Sequence, residues 1–202
     1  EIGMSFTGFE ILYHVLNKKN YIRAERVYLP WIDMQAKIQK EKLPLYSLES
    51  FTPLREFDII GFTLQYELTY TNILQMLYLS EVPILASERL DTDPIVLAGG
   101  PCSSNPEPMT DFMDAFLIGD GEQAFIEICE LIDRLRSSKA KRSEILKSLA
   151  DINGVYVPSL YDVSYDDLDQ FATIKAKIVN APLPVVTRIE PELKDGNYPT
   201  EP

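Results

Sequence analysis

Two short runs, PIVLAGGPC at 94–102 and DAFLIGDGE at 114–122, decide how this chain folds. In each, a continuous apolar run (Ile95–Ala98, then Ala115–Ile118) stops at a glycine turn. Apolar runs of this length, closed by turn residues, suit strands buried on both faces of a parallel sheet. The second turn opens an amphipathic helix, with Phe125, Ile128, Ile132 and Leu135 at helical spacing. Strand, glycine turn and helix form the unit of open α/β sheets, which take ligands outside the carboxyl ends of their strands.

Working outward, DIIGFTL at 58–64 is the strongest early strand, and Arg23–Leu29, closed by Pro30, is another candidate. Helices are expected from Ser5 or Thr7 to Lys18–Asn20, with a capping box from Thr7 to Glu10, and over Trp31–Lys42, Thr71–Leu79, Gly121–Arg136 and Ser143–Ile152, the last capped by Ser143. In the second helix Trp31, Met34 and Ile38 form the apolar stripe, so Trp31 is assigned to core packing, the alternative being that Trp31 and Asp33 close the ligand crevice from the far side. The fold class is α/β, a flavodoxin- or Rossmann-like doubly wound parallel sheet with right-handed crossovers.

A doubly wound domain should open with a strand, and here a loop and a helix come first. The expectation is that the chain starts just after its natural first strand. That strand would lie between 23–29 and 58–64, in a slot filled by a segment absent from this sequence, by the tail, or by a neighbouring chain.

Residues 1–152 are read as the α/β domain. Residues 153–180, rich in Tyr and Val and split by an acidic turn at Asp166–Asp169, are read as an antiparallel appendage outside the parallel sheet. Residues 181–202 carry five prolines and are read as an extended linker.

The chain has 202 residues and a net charge of −12, which argues against a broad nucleic-acid-binding face. No apolar run approaches the ~20 residues of a membrane span. Two cysteines, Cys102 and Cys129, supply neither a metal cluster nor a disulfide framework, which fits a cytoplasmic protein.

The segments DIIGFTLQY at 58–66, VLAGGP at 96–101 with NPE at 105–107, and FLIGDGE at 116–122 resemble the signature segments of the cobalamin-binding-type domain of radical SAM enzymes. Asp120 stands where that family usually has Glu, and Cys102 where it usually has His. The longer runs AERVYLPWIDM at 24–34, PLYSLES at 44–50, FTLQYELTYTN at 62–72 and AGGPCSSNPEP at 98–108 are similar to one uncharacterised family of bacterial radical SAM proteins.

In that family this domain precedes a catalytic barrel holding a [4Fe-4S] cluster and S-adenosylmethionine. The cluster needs three cysteines spaced C-x-x-x-C-x-x-C, and this chain has none so spaced. The resemblance therefore implies a non-catalytic portion, with the radical SAM barrel of the same polypeptide as its partner.

A crevice is expected at the carboxyl edge, formed by Gln65, Tyr66, Glu67, Asn72, Gly99, Gly100, Pro101, Gly119, Asp120, Gly121 and Glu122, because each of their loops follows the carboxyl end of a parallel strand. Cobalamin or another ligand would be presented there to the barrel, glycine at 99, 100 and 119 leaving room for a corrin. The alternative is a scaffold that has lost the cofactor and docks substrate or stabilises the barrel. Cobalamin domains of the methyltransferase type carry an axial His after the first strand. The sole histidine, His14, lies further on, within a helix, and reads as a half-buried helix residue. Cys102 reads as a small loop residue, not a nucleophile.

Overall fold

A computed structural model describes residues 6–167, 171–179 and 181–190. Its main sheet has four strands: β1 (Ile59–Thr63), β2 (Ile95–Gly99), β3 (Ala115–Leu117) and β4 (Val155–Tyr156), in that spatial order. β1–β2 and β2–β3 are parallel, as their continuous apolar runs require. Ile95, Val96, Ala115 and Phe116 are fully buried at the centre of the core.

Helices α1 (Thr7–Asn17), α2 (Ile32–Glu41), α3 (Tyr70–Leu79), α4 (Glu122–Ser137) and α5 (Arg142–Leu149) surround the sheet. Their inward faces follow the sequence period: Ile73 and Leu77 on α3, Ile128 and Ile132 on α4. α4 lies close over β1, because a Cβ at Gly61 would meet the Phe125 ring at 3.1 Å.

The structure corrects four expectations. Arg23–Leu29 is extended but joins no ladder, because its backbone bonds run to side chains and loops. Ala24 N–H donates to Asn17 Oδ1, and Arg26 N–H to Glu49 Oε2. Helix starts differ too: Thr7 lies inside α1 behind Phe6, and Ser143 lies inside α5, where the Glu144 carboxylate accepts from Lys141 N–H at 2.8 Å. Trp31 and Met34 are exposed, so only Ile38 of the expected stripe is buried.

Finally, residues 153–180 do not all lie outside the sheet. Val155–Tyr156 pairs antiparallel with β3, and Tyr156, Val157 and Tyr161 belong to the main core. The remainder forms the expected hairpin, β5 (Tyr161–Tyr165) against β6 (Phe171–Ala176). Residues 168 and 169 of the expected acidic turn lie outside the described residues, as do 170 and 180 of the expected appendage and 191–202 of the expected linker.

The amino ends of β2 and β3 are pinned by a buried ionic cluster that the sequence did not advertise. The Asp114 carboxylate Oδ2 accepts from Arg89 at 2.9 Å, Arg142 at 2.5 Å and Val96 N–H at 2.7 Å. Both guanidinium groups spend further donors on loop carbonyls, of Phe112 for Arg89 and of Asp93 and Pro94 for Arg142. Buried charges are tolerated when paired and hydrogen-bonded in this way.

Candidate functional site

Parallel strands deliver the loops that follow them to one edge. The turns after β1, β2 and β3 accordingly meet at the mouth of a cavity of about 500 Å³, where Gln65, Gly99, Gly100, Pro101, Gly119, Asp120, Gly121 and Glu122 all contribute. Tyr66, Glu67 and Asn72 do not line it; they are exposed around the start of α3. His14 is half-buried on α1 and is not part of the wall.

The first glycine turn is locked from within. Gly100 has φ +97, a conformation that favours glycine. A Cβ there would lie 2.9 Å from Gln65 Nε2 and 3.1 Å from both Leu64 O and Thr63 Oγ1. Gln65 donates to Thr63 Oγ1, Cys102 N–H to Leu64 O, and the Ser103 hydroxyl to Gly100 O and Leu117 O. Gly99, by contrast, has room: its Cβ would meet Leu117 O at an ordinary 3.7 Å.

The second glycine turn is covered by the chain's own tail. Gly119 pairs with Arg188 in a parallel bridge. Arg188 N–H donates to Ile118 O at 2.9 Å, and Asp120 N–H to Arg188 O at 3.0 Å. Glu190 N–H then donates to the Asp120 carboxylate at 2.8 Å. A Cβ on Gly119, whose φ is +110, would lie 2.0 Å from Arg188 O. The Arg188 side chain closes the strap, gripping Glu127 of α4 at 2.8 and 3.2 Å and Glu190 at 2.8 Å. The hydrogen bond to Glu127 outweighs burial and raises the guanidinium pKa.

Sequence reasoning missed this strap because Arg188 sits in a proline-rich stretch with no periodicity. It also missed Glu107, the acid of the NPE run. Its carboxylate accepts from Tyr156 at 3.2 Å and from Tyr165 of β5 at 3.3 Å, fastening the hairpin to the loop after β2. Burial, and then Glu107 itself, push the Tyr156 phenol up.

Large apolar side chains stand in water at the same edge. α2 and α3 both begin at the carboxyl ends of the extended segments they follow, and they pack side by side, with Gln75 donating to Gln35. Around these helix starts Trp31 is 78% exposed, Ile32 69%, Leu68 75% and Tyr66 57%. Ile189, next to the strap, is 72% exposed.

No cluster of three or more His, Cys, Asp or Glu suited to a metal ion occurs among the described residues. No helix among them is long and apolar enough to cross a membrane.

The family described as "Radical SAM proteins, N-terminal" matches residues 8–158, and the chain belongs to it. An uncharacterised protein of the archaeon Methanocaldococcus jannaschii is 29% identical over 133 residues, covering 60% of this chain and 28% of the relative. The chain thus spans well under half the length of that relative. No solved structure matches.

Proposed function

We propose that this chain is a non-catalytic N-terminal domain that docks, through the carboxyl edge of its sheet, against a radical SAM catalytic domain on the same polypeptide. The observation that carries the proposal is the group of exposed apolar side chains at that edge: Trp31, Ile32, Tyr66, Leu68 and Ile189. Isolated exposed apolar residues are ordinary, but several gathered at one end of a sheet suit an interface. The catalytic domain would supply the [4Fe-4S] cluster and the S-adenosylmethionine; with two cysteines, this chain is short of the three thiolates the cluster needs.

Cobalamin fits this edge poorly. A corrin laid over the carboxyl edge needs the second glycine turn bare, and Arg188 already occupies the space a Cβ of Gly119 would enter. His14 does not reach the cavity. A second reading, presentation of a smaller ligand to the catalytic domain, is favoured by the convergence of Gln65, Gly99–Pro101 and Asp120–Glu122 on one cavity mouth.

The test is full-length protein carrying Trp31→Ser with Leu68→Ser. The docking reading expects intact cluster content, faster proteolysis between the domains and at least about tenfold slower reductive cleavage of S-adenosylmethionine, a loss of about 1.4 kcal/mol. Unchanged proteolysis and cleavage would overturn it. Stoichiometric uptake of hydroxocobalamin by the parent protein would instead restore the cofactor reading.

A further inference from the structure

The mouth described above is one end of a longer slot. Its lower part has the shape of an absent strand. The bonds from Ile95 N–H to Asp58 O and from Leu64 N–H to Gly99 O fix the phase of the β1–β2 ladder. Pairing alternates along a parallel strand, so the N–H and C=O groups of Ile59, Gly61 and Thr63 point away from β2. None of them has a backbone partner among the described residues.

Across the slot lies the extended segment 22–29. Ala24 uses its N–H and C=O on Asn17, and Arg26 uses its own on Glu49 and Leu48. In extended backbone the intervening residues Arg23, Glu25 and Val27 turn theirs to the opposite side. They too lack backbone partners among the described residues. Two open strand edges therefore border one cavity of about 500 Å³. Phe9 and Leu12 of α1, together with Phe125, Cys129 and Ile132 of α4, supply its apolar wall.

We infer that this slot holds a parallel β-strand supplied by the residues preceding Glu1 in the parent polypeptide. Connectivity selects that occupant. α1 borders the slot and leads, through Lys18–Tyr21, into the extended segment on its far side. A right-handed β-α-β unit with α1 as its crossover needs its first strand in the slot, immediately before α1. With it, the order becomes 22–29, inserted strand, β1, β2, β3, which is the doubly wound order. The chain covers only 28% of its archaeal relative, so polypeptides carrying this domain have sequence to spare. The inserted strand matches the five residues of β1 and places apolar side chains against α1 and α4. Segment 22–29 then becomes a true strand. This inference stands independently of what the carboxyl edge docks.

Two measurements on the full-length protein test it. In hydrogen exchange, the amides of Ile59, Gly61 and Thr63 should be protected to within about tenfold of their neighbours Ile60 and Phe62, which bond to β2. Exchange about 100-fold faster at the three outward amides would show an open edge and overturn the inference. Independently, a benzophenone-bearing residue placed at Ile22, on the slot wall, should cross-link on illumination to a peptide N-terminal to Glu1 of the same molecule. Cross-linking to the tail, or to a second molecule, would overturn it.

Discussion

Replacing Gly119 by Ala separates a glycine kept for the tail from one kept for a ligand. The new Cβ would lie 2.0 Å from Arg188 O and 2.8 Å from Arg188 N, both backbone atoms that cannot swing aside. Strap and turn cannot then coexist. At φ +110 an alanine is strained as well, at a cost of about 1–2 kcal/mol. Displacing the strap forfeits the bonds Arg188 N–H to Ile118 O and Asp120 N–H to Arg188 O, each worth about 1 kcal/mol net.

The tail contact should therefore weaken by about 3 kcal/mol, roughly a hundredfold in an opening equilibrium. The assay is hydrogen exchange at the Arg188 and Asp120 amides of ligand-free full-length protein. Both should exchange about 100-fold faster in Gly119→Ala. Gly99→Ala is the control: its Cβ has 3.7 Å to the nearest neighbour, and the same amides should stay within about threefold of the parent. Equal exchange in the two variants would refute the strap.

Truncating Asp114 to Ala leaves Arg89 and Arg142 buried without their carboxylate. It should destabilise the domain by about 3–5 kcal/mol, read as a lower thermal midpoint; a loss under about 1 kcal/mol would contradict the pinning role. Glu25 is buried, which pulls its carboxyl up, but donors from Ser47, Ser50 and Arg23 prevail and hold it down at about 2 from 4.5. Its stabilisation is thus present above pH 4.5 and lost as pH falls towards 2. Glu25→Gln should cost about 2 kcal/mol at pH 7 and nothing near pH 2 in chemical denaturation, and a pH-independent cost would contradict this. Burial pushes the Cys129 thiol up to about 12, so iodoacetamide at pH 8 should leave it largely unmodified in the folded protein, and labelling at a free-thiol rate would contradict that placement.

The parallel strands were legible because buried strands must be apolar on both faces, and Ile95–Gly99 and Ala115–Leu117 are. The ends of α1 and α5 were not. Thr7 and Ser143 looked like caps, yet α1 begins one residue earlier, behind Phe6, and α5 two residues earlier, behind Lys141, with no Ser or Thr cap. Trp31 was read as core from its place in a helical stripe. That period identifies an apolar face without saying what covers it, and here no other part of the described chain covers the indole.

The glycine turns were correctly located, but their reason was not in the local sequence. The atom that forbids a side chain at Gly119 belongs to Arg188, 69 residues further on. Val155–Tyr156 joined the sheet against expectation for a related reason: a two-residue strand carries no periodicity, and β3 offered a free edge.

Two tyrosines of equal exposure provide the most direct test of docking. Tyr66 and Tyr78 are each 57% exposed, Tyr66 before the start of α3 at the carboxyl edge and Tyr78 near its end at the opposite edge. Hydroxyl-radical footprinting of the full-length protein should find Tyr66, together with Trp31, oxidised about tenfold more slowly than Tyr78, because under the docking proposal only the carboxyl edge would be covered by the catalytic domain. Tyr66 and Tyr78 oxidised at the same rate, with Trp31 fully reactive, would show that edge to be open and contradict the account.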